Sequence, residues 1–90
     1  MNVDKMNCIK SAEDMMLCDL RRDMENSPMV NTPFEGMAVI AILHDSAQSI
    51  RKLMREKIEI NGDIYTYSLD EVEEIVSTAY NNLYNRLIDN

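Results

Sequence analysis

The hydrophobic positions of the chain recur at helical spacing in three separate stretches. In the first stretch an apolar residue returns every fourth position, and charged residues lie mostly between these positions. This spacing places the apolar side chains on one face of an α-helix. We expect Ser11 to be its N-cap, residues 1–10 to extend or fray from it, and Pro28 to end it. The apolar row consists of Ala12, Met16, Leu20 and Met24, and Ile9 continues it towards the N-terminus.

The second stretch has the strongest start signal in the chain. Thr32, Pro33 and Glu35 fit the N-cap, N1 and N3 positions of a capping box, where the missing N–H group of proline costs nothing. Apolar residues then follow at alternating steps of three and four, and we expect a helix of about 25 residues that reaches about Ile58. The apolar row consists of Ile40, Leu43, Ala47, Ile50 and Met54.

The first half of this second helix is apolar on every side. Met37–Leu43 is an unbroken apolar run, so these turns have no polar face to present to water. Two further helices from a 90-residue chain can hardly surround them. The sequence therefore predicts a homo-oligomer that is held together through the Met37–Leu43 region.

The third stretch begins at Ser68, which forms a second capping box with Glu71. Before it, residues 58–67 contain Asn61-Gly62, which fits either a helix C-cap or a tiny β-hairpin. The predicted fold is all-α: a single helical domain over residues 1–90 whose second and third helices form a long antiparallel hairpin. The apolar row of the third helix consists of Leu69, Val72, Val76, Ala79, Leu83 and Leu87.

Charge and hydropathy narrow the classes of partner. The 16 acidic and nine basic residues give a net charge of −7, which disfavours binding to duplex nucleic acid or to an anionic membrane. The apolar runs are far shorter than the roughly 20 residues of a transmembrane helix, and the N-terminus lacks the features of a signal peptide. We expect a cytoplasmic protein, located in the host cytosol if a phage encodes it.

Residues that could carry catalysis or hold a metal do not form a recognisable set. Cys8 and Cys18 are ten positions apart, and His44 is the only histidine, so neither a disulfide within one helix nor a zinc site is expected. His44 has no evident nucleophile to activate and is typical of a helix surface. We therefore expect no enzyme activity, no cofactor and no metal.

Two groups of residues are candidates for binding an anionic ligand. Arg51, Lys52 and Arg55 form a basic cluster that could hold phosphate or an acidic partner, or could simply complement the dipole at the end of the second helix. Tyr65 and Tyr67 precede the third helix, where tyrosine rings could stack on a base or anchor the loop to the core. The sequence leaves both alternatives open.

A different class of function follows from the acidic start of the third helix. Glu71, Glu73 and Glu74 could dock on a basic protein or imitate nucleic-acid phosphates. The same carboxylates suit the positive end of the helix dipole. An acidic interaction module or inhibitor is therefore the alternative function.

The third helix also resembles a known family. The run Ser68-Leu69 followed by Val72-Glu73-Glu74-Ile75-Val76 and Ala79 is similar to the C-terminal helix of small phage anti-CBASS sponge proteins. Residues 49–53 resemble the long helix of that family, and residues 31–34 resemble the segment before it. The similarity covers about residues 31–88.

The resemblance implies a multimeric α-helical protein that sequesters cyclic oligonucleotide signals without degrading them. On that basis Thr32 and Phe34 join Arg51, Lys52, Arg55, Tyr65 and Tyr67 as candidate ligand-binding residues. The leading hypothesis is thus a non-enzymatic, phage-type sponge that evades host immunity.

Overall fold

Three α-helices make up most of this computed structural model, which describes residues 3–56, 58–60, 63–65 and 67–88. They are α1 (Val3–Glu25), α2 (Glu35–Arg55) and α3 (Leu69–Leu87). Each helix packs against both others, so α2 and α3 belong to a three-helix bundle rather than to a separate hairpin. The predicted all-α class is confirmed. Within the described ranges, no helix combines the length and the apolar character that crossing a membrane requires.

The core lies where the apolar faces of the three helices meet. The predicted rows supply most of it, because residues three or four apart share one side of a helix. Leu69 and Leu87 are exceptions: both are exposed, since they lie at the two ends of α3, where less of the bundle covers them. The core residues are Ile9, Ala12, Met16, Leu43, Ala47, Ile50, Val72, Ile75, Val76, Ala79 and Leu83.

The first helix begins before the predicted N-cap at Ser11, which agrees with the alternative that residues 1–10 extend the helix. It starts at Val3, and Ser11 is an exposed residue inside the helix, so the predicted N-cap at Ser11 is wrong. The additional turns are held by contacts with other elements, because Ile9 is buried in the core and Lys5 Nζ lies 2.7 Å from Glu74 Oε2 on α3. Tertiary packing can favour a helical segment that lacks a local start signal.

The second helix begins later than predicted, at Glu35, and the capping box over Thr32–Glu35 is wrong. The Thr32 hydroxyl instead donates to the Met29 carbonyl at 2.6 Å and accepts from the Phe34 N–H. The Glu35 carboxylate accepts from the backbone N–H of Asn31, which has a positive φ of 63°. These side chains stabilise the turn before α2, and the helix start has no side-chain cap.

The connection from α2 to α3 contains a short antiparallel ribbon. The second helix ends at Arg55, before the predicted Ile58, because the backbone at Glu56 is extended. Strands β1 (Ile58–Ile60) and β2 (Asp63–Tyr65) pair with Ile58 opposite Tyr65 and Ile60 opposite Asp63. Of the two alternatives for this segment, the structure has the tiny hairpin. The predicted turn residues Asn61 and Gly62 lie outside the described residues.

The start of α3 agrees with the sequence. The Ser68 hydroxyl accepts from the Glu71 N–H at 3.1 Å, and the Glu71 carboxylate accepts from the Ser68 N–H at 3.4 Å, which completes the predicted capping box. A capping box uses residues three apart in sequence, so its formation depends little on the rest of the fold.

The two serines provide a direct test of both helix starts. Ser68→Ala should lower the free energy of unfolding by about 1 kcal/mol, because it removes an N-cap acceptor. Ser11→Ala is the matched control, and it should leave stability unchanged or raise it by up to about 0.5 kcal/mol, since alanine is the better residue inside a helix. Urea denaturation measures both values. Equal losses from the two variants would contradict the assigned helix starts.

Candidate functional site

One residue of the basic cluster on α2, Arg51, is engaged by contacts within the chain. The Arg51 guanidinium donates two hydrogen bonds to the Glu73 carboxylate on α3, from Nε at 3.1 Å and from Nη2 at 3.0 Å. The same guanidinium reaches Gln48 Oε1 and Ser77 Oγ, each at 3.3 Å, and the Arg51 side chain is only 17% exposed. Lys52 and Arg55 remain exposed. The cluster is therefore one engaged arginine beside two surface cations.

Glu73 is held as a carboxylate by its neighbours on two helices. The Ser77 hydroxyl donates to Glu73 Oε1 at 2.9 Å, and this hydrogen bond is the main reason that the pKa of Glu73 is lowered. The hydrogen bond from Arg51 and the positive charges of Arg51 and Arg55 lower it further. Arg51, one of the residues proposed to bind phosphate, and Glu73, one of those proposed to bind a basic partner, are thus bound to each other.

The lowered pKa of Glu73 predicts a pH dependence of stability. A carboxylate whose pKa is lower in the folded state stabilises the fold above its unfolded pKa, near 4.3, and this contribution disappears as pH falls through the lowered value. The Glu73→Gln variant should therefore lose less stability than the wild type when pH falls from neutral into that acidic range. Urea titrations at several pH values measure the difference, and parallel pH profiles would contradict the prediction.

The other acidic residues of α3 also have partners within the chain. Glu74 Oε2 pairs with Lys5 Nζ of α1 at 2.7 Å, and Glu71 closes the capping box with Ser68. An exposed ion pair contributes little on its own. Even so, the Lys5 and Arg51 pairs place a cation beside two of the three carboxylates. The acidic surface that the sequence suggested is thereby partly neutralised.

Tyr67 lies between the ribbon and the bundle rather than in a free loop. Its ring packs against the core, and its hydroxyl lies 3.8 Å from Cys8 Sγ on α1, within the hydrogen-bonding range of sulfur. That contact is the main reason that the pKa of Tyr67 is raised. Tyr67 also forms one wall of an open groove with residues of α1 and with Ile50 and Met54 of α2. Arg51, Lys52 and Arg55 do not line this groove.

The remaining predicted ligand residues do not join this arrangement. Thr32 and Phe34 precede α2, and Arg51 lies 17 positions after Phe34, or about 25 Å along a helix axis. The Tyr65 side chain lies outside the described residues. Within one chain, the full basic cluster and Tyr67 therefore do not form one site. Thr32 and Phe34 do not join either of them. No group of three or more His, Cys, Asp or Glu side chains in the described part could hold a metal.

A second candidate surface lies on the N-terminal half of α2. Five residues line a shallow depression there, and we refer to them as the α2 face: Met37, Ile40, Ala41, His44 and Asp45. Leu43 points into the core and is fully buried, whereas Met37 is 68% exposed. The apolar run that predicted self-association thus remains partly uncovered within one chain. No motif marks the face, and only the unbroken apolar run Met37–Leu43 signals it.

Apart from Asp45 at its edge, the α2 face lies in an uncharged part of the helix. Residues 36–44 contain no Asp, Glu, Lys or Arg, although the chain as a whole carries a net charge of −7. Exposed apolar residues elsewhere, such as Met6 and Leu53, stand nearer to charged neighbours in the sequence. Isolated apolar residues are common on protein surfaces, whereas adjoining ones without charge indicate a contact surface.

Comparisons with known proteins leave the family undetermined. No protein-family model matches the chain, and neither the curated proteins nor the solved structures provide a significant match.

Proposed function

We propose that this chain is a non-enzymatic protein-interaction module whose contact surface is the α2 face. The observation that carries the proposal is the exposure of Met37 beside other apolar residues, within residues 36–44, which contain no charged side chain. Removing such a surface from water is favourable by about 25 cal/mol for each Å² of apolar area. Among the residues that the structure describes, no ion pair involves the α2 face, so none of these has to be broken when the face is covered.

The charged surfaces support this assignment by their internal pairing. To bind Arg51 or Glu73, a phosphate or a basic partner would have to displace the bidentate contact between these two residues, which are 3.0 Å apart at their nearest atoms. It would compete in the same way with the contact between Lys5 and Glu74. The α2 face offers contact area without such competition.

Photo-cross-linking in the native host tests the proposed surface. Benzoylphenylalanine in place of Met37 should produce a covalent adduct of defined mass upon irradiation. The same group in place of Lys52, an exposed residue near the other end of α2, is the matched control and should yield far less adduct. If position 37 gives no more adduct than position 52, the α2 face is not the contact surface.

Sequestration of a cyclic oligonucleotide is a second proposal, and the groove beside Tyr67 is the observation that favours it. The walls of this groove are mostly apolar, and Tyr67 and Met54 could hold a planar base between them. Calorimetry with cyclic di- and trinucleotides should then show stoichiometric binding that weakens in Tyr67→Ala. The control is Tyr84→Ala, on α3 and outside the groove. Absence of heat across the panel would exclude this proposal.

A further inference from the structure

We infer that α1 has two alternative starts, Val3 and Ser11, and that its N-terminal turns (Val3–Lys10) detach from the bundle as one unit when the start shifts to Ser11. The structure has the long form, in which Ser11 is an exposed residue inside the helix. The sequence nevertheless carries a complete start signal for the short form. The inference goes beyond the proposed contact surface, because it concerns α1 and not the α2 face.

The start signal of the short form consists of Ser11 and Asp14, which are three positions apart, as in a capping box. In the short form the Ser11 hydroxyl would accept from the Asp14 N–H, and the Asp14 carboxylate would accept from the Ser11 N–H. Glu13 and Asp14 would also lie in the first turn, where carboxylates suit the positive end of the helix dipole. The first turn of the long form instead contains Asp4 and Lys5, whose opposite charges offset each other there.

Few contacts hold the N-terminal turns against the bundle. Among their described side chains Ile9 alone is buried, at 6% exposed. Lys5 Nζ pairs with Glu74 Oε2 at 2.7 Å, but these side chains are 26% and 49% exposed, and exposed ion pairs add little stability. The Cys8 thiol lies 3.8 Å from the Tyr67 hydroxyl. The long form therefore depends mainly on the burial of one side chain.

The remainder of α1 is held more firmly. Ala12 and Met16 are buried in the core, at 3% and 0% exposed. Asp19 accepts a hydrogen bond from the buried Ser46 of α2 at 2.6 Å. The boundary between weakly and firmly held turns thus falls at Ser11, where the alternative start lies. Helix ends fray without any such signal, so an unused cap at this boundary indicates a second defined state.

The short form would have a more open groove beside Tyr67. Asn7 and Cys8 belong to the wall of this groove in the long form, and both leave it with the N-terminal turns. Because detachment exposes Ile9 to water, the short form is a minor state of the free protein. A ligand that binds the wider groove more tightly would shift the population towards it.

Hydrogen exchange of the full chain, followed by NMR, tests for the two states. The amide protons of residues 7–13 should exchange at one common rate after correction for sequence effects, because a single opening frees them all. In α1 the amides from residue 15 onward should exchange at least about tenfold more slowly, since the short form keeps their hydrogen bonds. Protection that rises gradually from residue 7 to residue 20 would indicate simple fraying and would overturn the inference.

Ser11→Ala tests the alternative cap. It removes the cap of the short form, an effect of about fivefold on the opening equilibrium, and gives the long form the better helix residue, which adds about twofold. Exchange of residues 7–10 should therefore slow about tenfold. Ser11→Asn retains a capping side chain and should exchange within about twofold of the wild type.

Asn7→Ala is the matched control for Ser11→Ala. It also places alanine at an exposed position of the helix, but it removes no cap from the short form. Its higher helix propensity should slow exchange of the N-terminal turns by no more than about threefold. Equal slowing by the two alanine variants would mean that Ser11 caps no alternative state, and would overturn the inference.

Discussion

Leu43→Ala should lower the free energy of unfolding by about 2–5 kcal/mol, the largest stability change that we expect from a single substitution. Leu43 is 0% exposed and belongs to the core cluster that all three helices share. Its truncation removes apolar contacts and leaves a cavity that the neighbouring helices fill only in part. Because small domains are stable by only about 5–15 kcal/mol, the variant should unfold at a much lower urea concentration.

Leu53→Ala is the matched control for this experiment. It is the same substitution on the same helix, but Leu53 is 54% exposed and lies on the outer side of α2. Its truncation should cost less than about 1 kcal/mol, since little burial is lost. Urea denaturation of both variants measures the two losses in the free energy of unfolding. Similar losses would mean that the rotation of α2 about its axis differs from the one described.

Asp19→Ala should have the second largest effect, about 1–3 kcal/mol of lost stability. The buried Ser46 on α2 donates its hydroxyl to Asp19 Oδ2 on α1 at 2.6 Å. Removing the carboxylate leaves a buried donor without its acceptor. Ser46→Ala should cost less, because Asp19 is partly exposed and keeps Arg22 at 3.1 Å as a partner.

Asp23→Ala is the control for the Asp19 prediction. Asp23 also pairs with Arg22 at 3.1 Å, yet it is exposed. Its removal should change stability by less than about 0.5 kcal/mol, as is usual for surface ion pairs. Urea denaturation of the three variants measures the order of their effects. If Ser46→Ala cost as much as Asp19→Ala, the unsatisfied hydroxyl would not be the source of the loss.

The parts of the fold that could be predicted depend on local signals. The start of α3 was predicted correctly because a capping box joins residues three positions apart. The capping box predicted at Thr32 does not form. Asn31 has a positive φ there, the Thr32 hydroxyl donates to the Met29 carbonyl, and the Glu35 carboxylate accepts from the Asn31 N–H. The N-cap predicted at Ser11 is wrong, and the alternative that residues 1–10 extend α1 holds from Val3, because contacts of Lys5 and Ile9 with distant parts of the chain stabilise these turns.

The pairing of the candidate site residues could not be predicted. Arg51 and Glu73 are 22 positions apart and lie on different helices, so their contact depends on how far each helix is rotated in the bundle. Sequence spacing fixes which residues share one helix face, but it does not fix the register between two faces. The sequence therefore suggested a basic site and an acidic site where the structure has an ion pair. The apolar run Met37–Leu43 of α2 is evident from the order of residues alone.

Oxidation of methionines by hydroxyl radicals tests the central claim, that the α2 face is the contact surface, without any substitution. Met37 and Met6 are 68% and 55% exposed, so in dilute purified protein they should oxidise at similar rates. In the native host, or at high protein concentration, Met37 should become protected while Met6 continues to react. If both methionines oxidise alike under all conditions, the α2 face is not covered and the claim is wrong.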